Sequence, residues 1–153
     1  MIVDFGIFEG EIMIGQLESP PVQESVQWFI DRYEPVFLRE QLGVALYMEF
    51  VDGLSRESVE DKWITLKDMM EYPAAEYIYC KYMRNQSMET SGVGAVLTDV
   101  DTARRVSPWE KIVHAWNDMI DLTQDIHHRL SANPEYPDYC RKKRYSKINS
   151  FGL

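Results

Sequence analysis

The chain predicts an all-α fold: a bundle of about five or six helices, with a short β-hairpin insertion and extended N- and C-terminal arms. Three observations predict it. Apolar residues recur at steps of three and four across most of residues 21–132. Residues that start and stop helices punctuate that pattern, the clearest being Ser107-Pro108-Trp109-Glu110. The two ends show no helical period. The chain therefore divides into an N-terminal arm, 1–20, a helical domain, 21–132, with the hairpin at about 91–106, and a C-terminal basic tail, 133–153.

A length of 153 residues suits one compact domain, and 45% hydrophobic with 27% charged residues excludes wholesale disorder. No apolar run reaches the roughly 20 residues that a membrane helix needs. The opening MIVDFGIFEGEIMIG carries acids where a secretory signal carries positive charge, so the expectation is a soluble protein that is not exported. Cys80 and Cys140 are expected to be free thiols in a reduced compartment. The net charge is −9, and five of the 16 basic residues (Arg141, Lys142, Lys143, Arg144 and Lys147) lie beyond the last acid. The first 140 residues thus set 11 bases against 25 acids. A body of that charge repels nucleic acid rather than gripping it. The basic tail suits either an acidic partner or solvent.

The first helix is predicted from Pro21 to Tyr33, with Val22, Val26, Phe29, Ile30 and Tyr33 on one face. Pro35 is expected to break it, having no N–H to donate and disfavouring a helical residue before it. Phe37, Leu38 and Leu42 mark a second helix. Leu46, Tyr47, Phe50 and Val51 mark a third, and Gly43 either separates the two or sits inside one helix at a cost of about 1 kcal/mol. Ser58 to Asp61 starts a fourth, with Trp63, Leu66, Met69 and Met70 buried. Pro73 is expected to end it and begin a fifth, whose stripe is Ile78, Tyr79, Tyr82 and Met83. Tyr77, Tyr79 and Tyr82 suit an interface or the rim of a core equally. Residues 91–97 and 103–106 form the predicted hairpin, although Gly92 and Gly94 weaken a strand. The helix that follows, held to be the longest, carries Trp109, Ile112, Val113, Trp116, Met119, Ile120, Thr123, Ile126 and Leu130 at helical spacing and stops at Asn133-Pro134. Trp28, Trp63, Trp109 and Trp116 are assigned to the core. The arm, with Gly6, Gly10 and Gly15, either folds back on its own body or lies on a neighbour.

No catalytic constellation, cofactor site or metal site is legible. His114 and His128 lie four helical turns apart, too far to share an ion, and the adjacent His127 and His128 point in different directions. Neither cysteine has a CxxC partner. Gly92-Val93-Gly94 lacks the rest of a phosphate-binding loop, and Asp99 and Asp101 lack the rest of a calcium loop. Arg104 and Arg105 suit either an acidic partner or solvent.

Four stretches, EIMIGQLESPPVQESVQWFIDRYEPVFLREQLG, YPAAEYIYCKYMRN, TSGVGAV and RVSPWEKIVHAWNDM, stand in colinear order between residues 11 and 119. Together they resemble a family of small proteins encoded by phages and prophages of gut Bacteroidota, including crAss-like phages. The family's helical pattern is similar to that of phage head–tail connector (adaptor) proteins, which dock as a ring beneath the portal. The resemblance implies a structural virion protein of the phage neck, not an enzyme, assembled in the host bacterial cytoplasm. The implied partners are further copies in a ring (a dodecamer in adaptor families), the portal protein, and further neck or tail proteins. DNA passes through such a ring without sequence-specific binding. The contact residues expected on this reading are Phe5, Phe8, Ile12 and Ile14 of the arm, Val93, Val96 and Leu97 of the hairpin, and Arg141, Lys142, Lys143, Arg144 and Phe151 of the tail. Removal of residues 1–18 is expected to spare the body and abolish assembly. A rival of another class is a small acidic phage-encoded regulator that binds a host protein and forms no ring.

Overall fold

The structure, a computed structural model, describes residues 1–88 and 108–149. A 3-10 turn, Phe5–Glu9, precedes four α-helices: α1 (Pro20–Leu42), α2 (Val44–Leu54), α3 (Asp61–Met88) and α4 (Pro108–Ala132). The all-α class holds. The described residues contain four α-helices rather than five or six, and no strand is found among them. The predicted hairpin with Val93, Val96 and Leu97, the arginines 104 and 105, the cap at Ser107 and Phe151 lie outside the described residues.

The helix number falls because two expected breaks do not occur. Pro35 lies inside α1 and Pro73 inside α3. An interior proline costs about 3 kcal/mol, while each large apolar side chain buried contributes about 1.5–3 kcal/mol. In α1 the buried stripe runs straight through the proline, from Val26, Phe29 and Ile30 to Phe37, Leu38 and Leu42. Packing on both sides of the proline outweighs its local penalty. With Pro73 absorbed, α3 is the longest helix, at 28 residues against 25 for α4.

Gly43 does separate two helices. Its φ of +83° and ψ of 160° belong to a region open essentially to glycine alone. The C-terminal segment runs against it: a Cβ on Gly43 would stand 2.5 Å from the Cys140 carbonyl oxygen. Cys140 N–H donates to the Leu42 carbonyl at 3.2 Å, and the Lys142 and Lys143 N–H groups donate to Glu40.

α3 lies at the centre, in contact with α1, α2, α4 and the 3-10 turn. Pro73 to Cys80 are eight consecutive buried residues, so neighbours surround this part of the helix. Of the tryptophans assigned to the core, Trp63 is buried and Trp109 and Trp116 are half-buried. Trp28 is 52% exposed, because its position on α1 faces away from α3; its ring rests edge-on against Phe29 and Tyr33.

The N-terminal segment and the described part of the tail pack on the body. Ile2, Val3, Phe8, Ile12, Ile14 and Leu17 are core residues. Glu34, itself 5% exposed on α1, accepts hydrogen bonds from the Ile2 and Val3 N–H groups, each at 2.9 Å. The described part of the tail is extended but docked. Tyr136 is buried against Trp63 and donates its hydroxyl to the Lys62 carbonyl. Asn117 of α4 pairs both ways with the Ile148 backbone, and Trp116 Nε1–H donates to the Ser146 carbonyl. Residues 1–18 are therefore part of the core, and their removal is expected to destabilise the body rather than spare it.

Two substitutions test these attachments. Glu34→Ala leaves two buried N–H groups unpaired and is expected to cost about 3 kcal/mol in urea denaturation, whereas Glu34→Gln keeps an acceptor oxygen and costs about 1 kcal/mol. Equal losses would show that the hydrogen bonds do not hold the segment. Gly43→Ala combines backbone strain with a clash on the tail, and a cost of about 2–4 kcal/mol is expected. A change under about 0.5 kcal/mol would contradict the docking of the tail there.

Candidate functional site

The contact residues expected of the arm are mostly unavailable to a partner. Phe8, Ile12 and Ile14 are at most 4% exposed, and Phe5 is partly buried against the core. The reason is local: glycines and turns let the segment curl, so its alternating apolar residues reach α1 and α3 of the same chain. The tail bases are largely engaged with the body. Arg141 donates to Gln41, to the Lys143 carbonyl and to Thr123. Lys143 pairs with Glu40 at 3.2 Å and Lys147 with Asp121 at 2.7 Å. The Tyr145 hydroxyl donates to Glu40, and its ring packs on Phe37, Tyr77 and Trp116. Lys142 is exposed. Arg144 lines a cavity of about 240 Å³ with Gln124, His127, His128, Arg141 and Tyr145. Burial, then the charges of Arg141 and Arg144, lower the pKa of His127 there. The described tail is thus a strap on which Lys143 and Lys147 meet acids of the bundle and Arg141 meets neutral acceptors.

Two other features stand out. The first is α2, VALYMEFVDGL, which carries large apolar residues on two sides, with Glu49 and Asp52 exposed beside the outer ones. Leu46, Phe50 and Gly53 face the body, where Gly53 lies close enough to Trp63 that a Cβ would stand 2.3 Å from Nε1. On the other side Val44, Met48 and Val51 are 57%, 62% and 46% exposed. Their spacing of four and three residues makes one stripe. Periodicity marked Leu46, Tyr47, Phe50 and Val51 for burial and missed this second face, although the scarcity of charge in α2 was a readable signal.

The second is an acidic cavity of about 210 Å³ where the N-terminal segment crosses α3 and α4. Glu11, Tyr72, Glu76, Lys111, His114 and Asp118 line it with Ile12, Tyr79 and Ala115. Tyr72 and Glu76 lie four residues apart on α3, as do His114 and Asp118 on α4, so each pair shares a helix face. His114 Nδ1 is 2.9 Å from Asp118 Oδ2, and the Tyr72 hydroxyl donates to Glu11 Oε2 at 3.3 Å. Glu76 is 1% exposed, and its Oε2 has no hydrogen-bond partner. Burial, reinforced by the charges of Asp118 and Glu11, pushes the Glu76 carboxyl up to about 8. Burial, then the charges of Glu76, Glu11 and Asp118, pushes the Tyr72 hydroxyl up to about 12. Glu11, His114 and Asp118 each offer a ligand atom within 4.8 Å of the others. Sequence spacing paired His114 with His128 and saw nothing; the real neighbours come from three separate parts of the chain. Elsewhere, Cys80 is buried and its thiol is pushed up to about 12 by burial, while Cys140 is exposed.

Comparison of the chain with protein-family models, curated proteins and solved structures returns no match.

The Glu76 environment sets a pH dependence. Its folded pKa of about 8 lies above the ordinary 4.5, so the native protein keeps a proton that the unfolded chain releases. The stabilisation is complete below pH 4.5 and is lost as pH rises through 8. In chelator-treated buffer, Glu76→Gln is expected to gain stability relative to the parent between pH 5 and pH 9, read from urea midpoints. The comparison holds the neighbouring Glu11, Asp118, His114, Tyr72 and Lys111 constant. A difference that does not change with pH would refute the assignment.

Proposed function

We propose that the protein is a structural subunit of a phage neck, a head–tail connector whose copies form a ring below the portal and join capsid to tail. The observation that carries this reading is the exposed face of α2. An apolar stripe, Val44, Met48 and Val51, is left to solvent here beside the exposed Glu49 and Asp52, in a chain whose N-terminal segment and described tail are already packed. A second copy of the chain is the occupant that suits it. Repetition of one such head-to-tail contact closes a ring when the rotation per subunit divides the circle. The contact therefore rests on the helical surface and not on exchanged arms.

Two further features support the reading. The likeness of residues 11–119 to small phage proteins points to the neck. The excess of acids on the body, with Lys143 and Lys147 already paired to Glu40 and Asp121, suits a channel through which DNA slides without sticking. Portal and tail proteins are the partners on this reading, and the virion is the location.

The test is mass in solution, by light scattering and native mass spectrometry, with and without a portal protein of the same phage genome. A ring of portal-like copy number is expected, and Met48→Glu is expected to reduce it to monomer while changing stability by less than about 0.5 kcal/mol. A monomer or dimer that ignores the portal would favour a regulator of a host protein instead, and a ring indifferent to Met48→Glu would remove α2 from the contact.

A further inference from the structure

Three exposed or half-exposed side chains, Glu11, His114 and Asp118, do not make a site by standing together. Glu76 changes their meaning. It sits behind them on α3, lines the same cavity, and is 1% exposed with Oε2 unpartnered. A carboxylate oxygen withdrawn from water without a partner is costly, and buried acids are ordinarily paired with a donor or a metal ion. The groups on the open side of the cavity are two more carboxylates and an imidazole, all of which are ligands.

We propose that Glu11, His114 and Asp118, backed by the buried Glu76, bind one divalent cation of the first transition row, in the range Mn²⁺ to Zn²⁺. The imidazole nitrogen selects against Mg²⁺ and Ca²⁺, which prefer all-oxygen shells. Glu11 and Asp118 supply ligand charge, and Glu76, outside the group of three whose ligand atoms come together, acts from behind them. Donor atoms around such an ion stand roughly 3–3.5 Å apart, given metal–ligand distances of about 2.0–2.2 Å. The three open ligand atoms lie within 4.8 Å of one another, so the cluster has to contract by on the order of 1 Å. Glu11 and His114 are exposed and have room for that movement. The Tyr72 hydroxyl on Glu11 orients the carboxylate from behind, as second partners of metal ligands do. Lys111 is the competing cation at the rim; it is exposed and can swing its charge into solvent.

The ion would join three parts of the chain that are distant in sequence: the N-terminal segment, α3 and α4. Its role is a clamp that holds the segment on the bundle. This inference stands on the cavity alone and does not depend on the ring or the phage neck.

The test is titration of the chelator-stripped full chain with Zn²⁺, Mn²⁺ and Mg²⁺ by calorimetry, with Co²⁺ visible absorption as a second readout. One equivalent of Zn²⁺ is expected to bind at least about 100-fold more tightly than Mg²⁺. His114→Ala and Asp118→Asn are each expected to weaken binding by about 10–100-fold, and Glu76→Gln by about 10-fold. Amide exchange in residues 8–16 is expected to slow when Zn²⁺ is added. A His127→Ala/His128→Ala double variant and Cys140→Ser are expected to bind as the parent does, which separates this site from the other zinc donors on the surface. Circular dichroism establishes that each variant is folded, and Glu76→Asp replaces Glu76→Gln should the latter unfold. The proposal is overturned by absence of binding at millimolar Zn²⁺ and Mn²⁺, by equal affinity for Mg²⁺, by unchanged affinity in His114→Ala, or by loss of binding in the His127/His128 double variant. Unchanged affinity in both Glu76 variants would leave a surface chelate only and overturn the part given to Glu76.

Discussion

Burial of α3 from Pro73 to Cys80 is the constraint on which the rest of the structure depends. Two helices cannot enclose a third on all sides, so a chain that buries eight consecutive helical residues must find cover beyond its own bundle partners. α1 and α4 take two sides. The N-terminal segment reaches Glu76 and Tyr72, and the C-terminal strap reaches Tyr77 through Tyr145. Ala74 and Ala75 have small side chains that allow neighbours to come close at the midpoint. Glu34 and Gly43 then act as fixings: the first holds the start of the chain by its backbone N–H groups, and the second makes the gap through which the tail passes.

This arrangement moves the functional surface. Ile2, Val3, Phe8, Ile12, Ile14 and Leu17, which look available when the chain is read as a line, are consumed in the core. Part of the basic tail is likewise consumed, because Glu40 and Asp121 lie beneath Lys143 and Lys147. Among the described residues, the second face of α2 and the acidic cavity between the N-terminal segment, α3 and α4 remain outward. One is an apolar surface suited to another protein, and the other a cluster of ligand atoms suited to an ion. They use different residues and different physics, and the two proposed roles are independent.

Legibility in the sequence followed the range of the forces involved. The α4 stripe from Ile112 to Leu130 was readable because each residue's partner lies one turn away. The start of α3 near Asp61, with Trp63, Leu66 and Met70 buried, was readable for the same reason. Pro35 and Pro73 misled because a proline's local cost is visible in sequence, while the packing on both sides that exceeds it is not. Trp28 misled because hydrophobicity does not say which face of a long helix has a neighbour. The acidic cavity was hidden because Glu11, Glu76 and His114 are far apart in the chain, and no spacing rule joins them.

By itself the sequence determined the helical class, the positions of most apolar stripes, the acidic balance of the body and the segregation of five bases at one end. These are properties of composition and short-range period, and they hold whatever the chain packs against. Tertiary structure alone decided that two prolines lie inside helices, that the N-terminal segment and the described tail close over α3, and that a buried Glu76 lines one cavity with an imidazole and two further carboxylates. Those outcomes depend on free energies gained between residues tens of positions apart, where burial outweighs local preference and no periodic signal exists to be read.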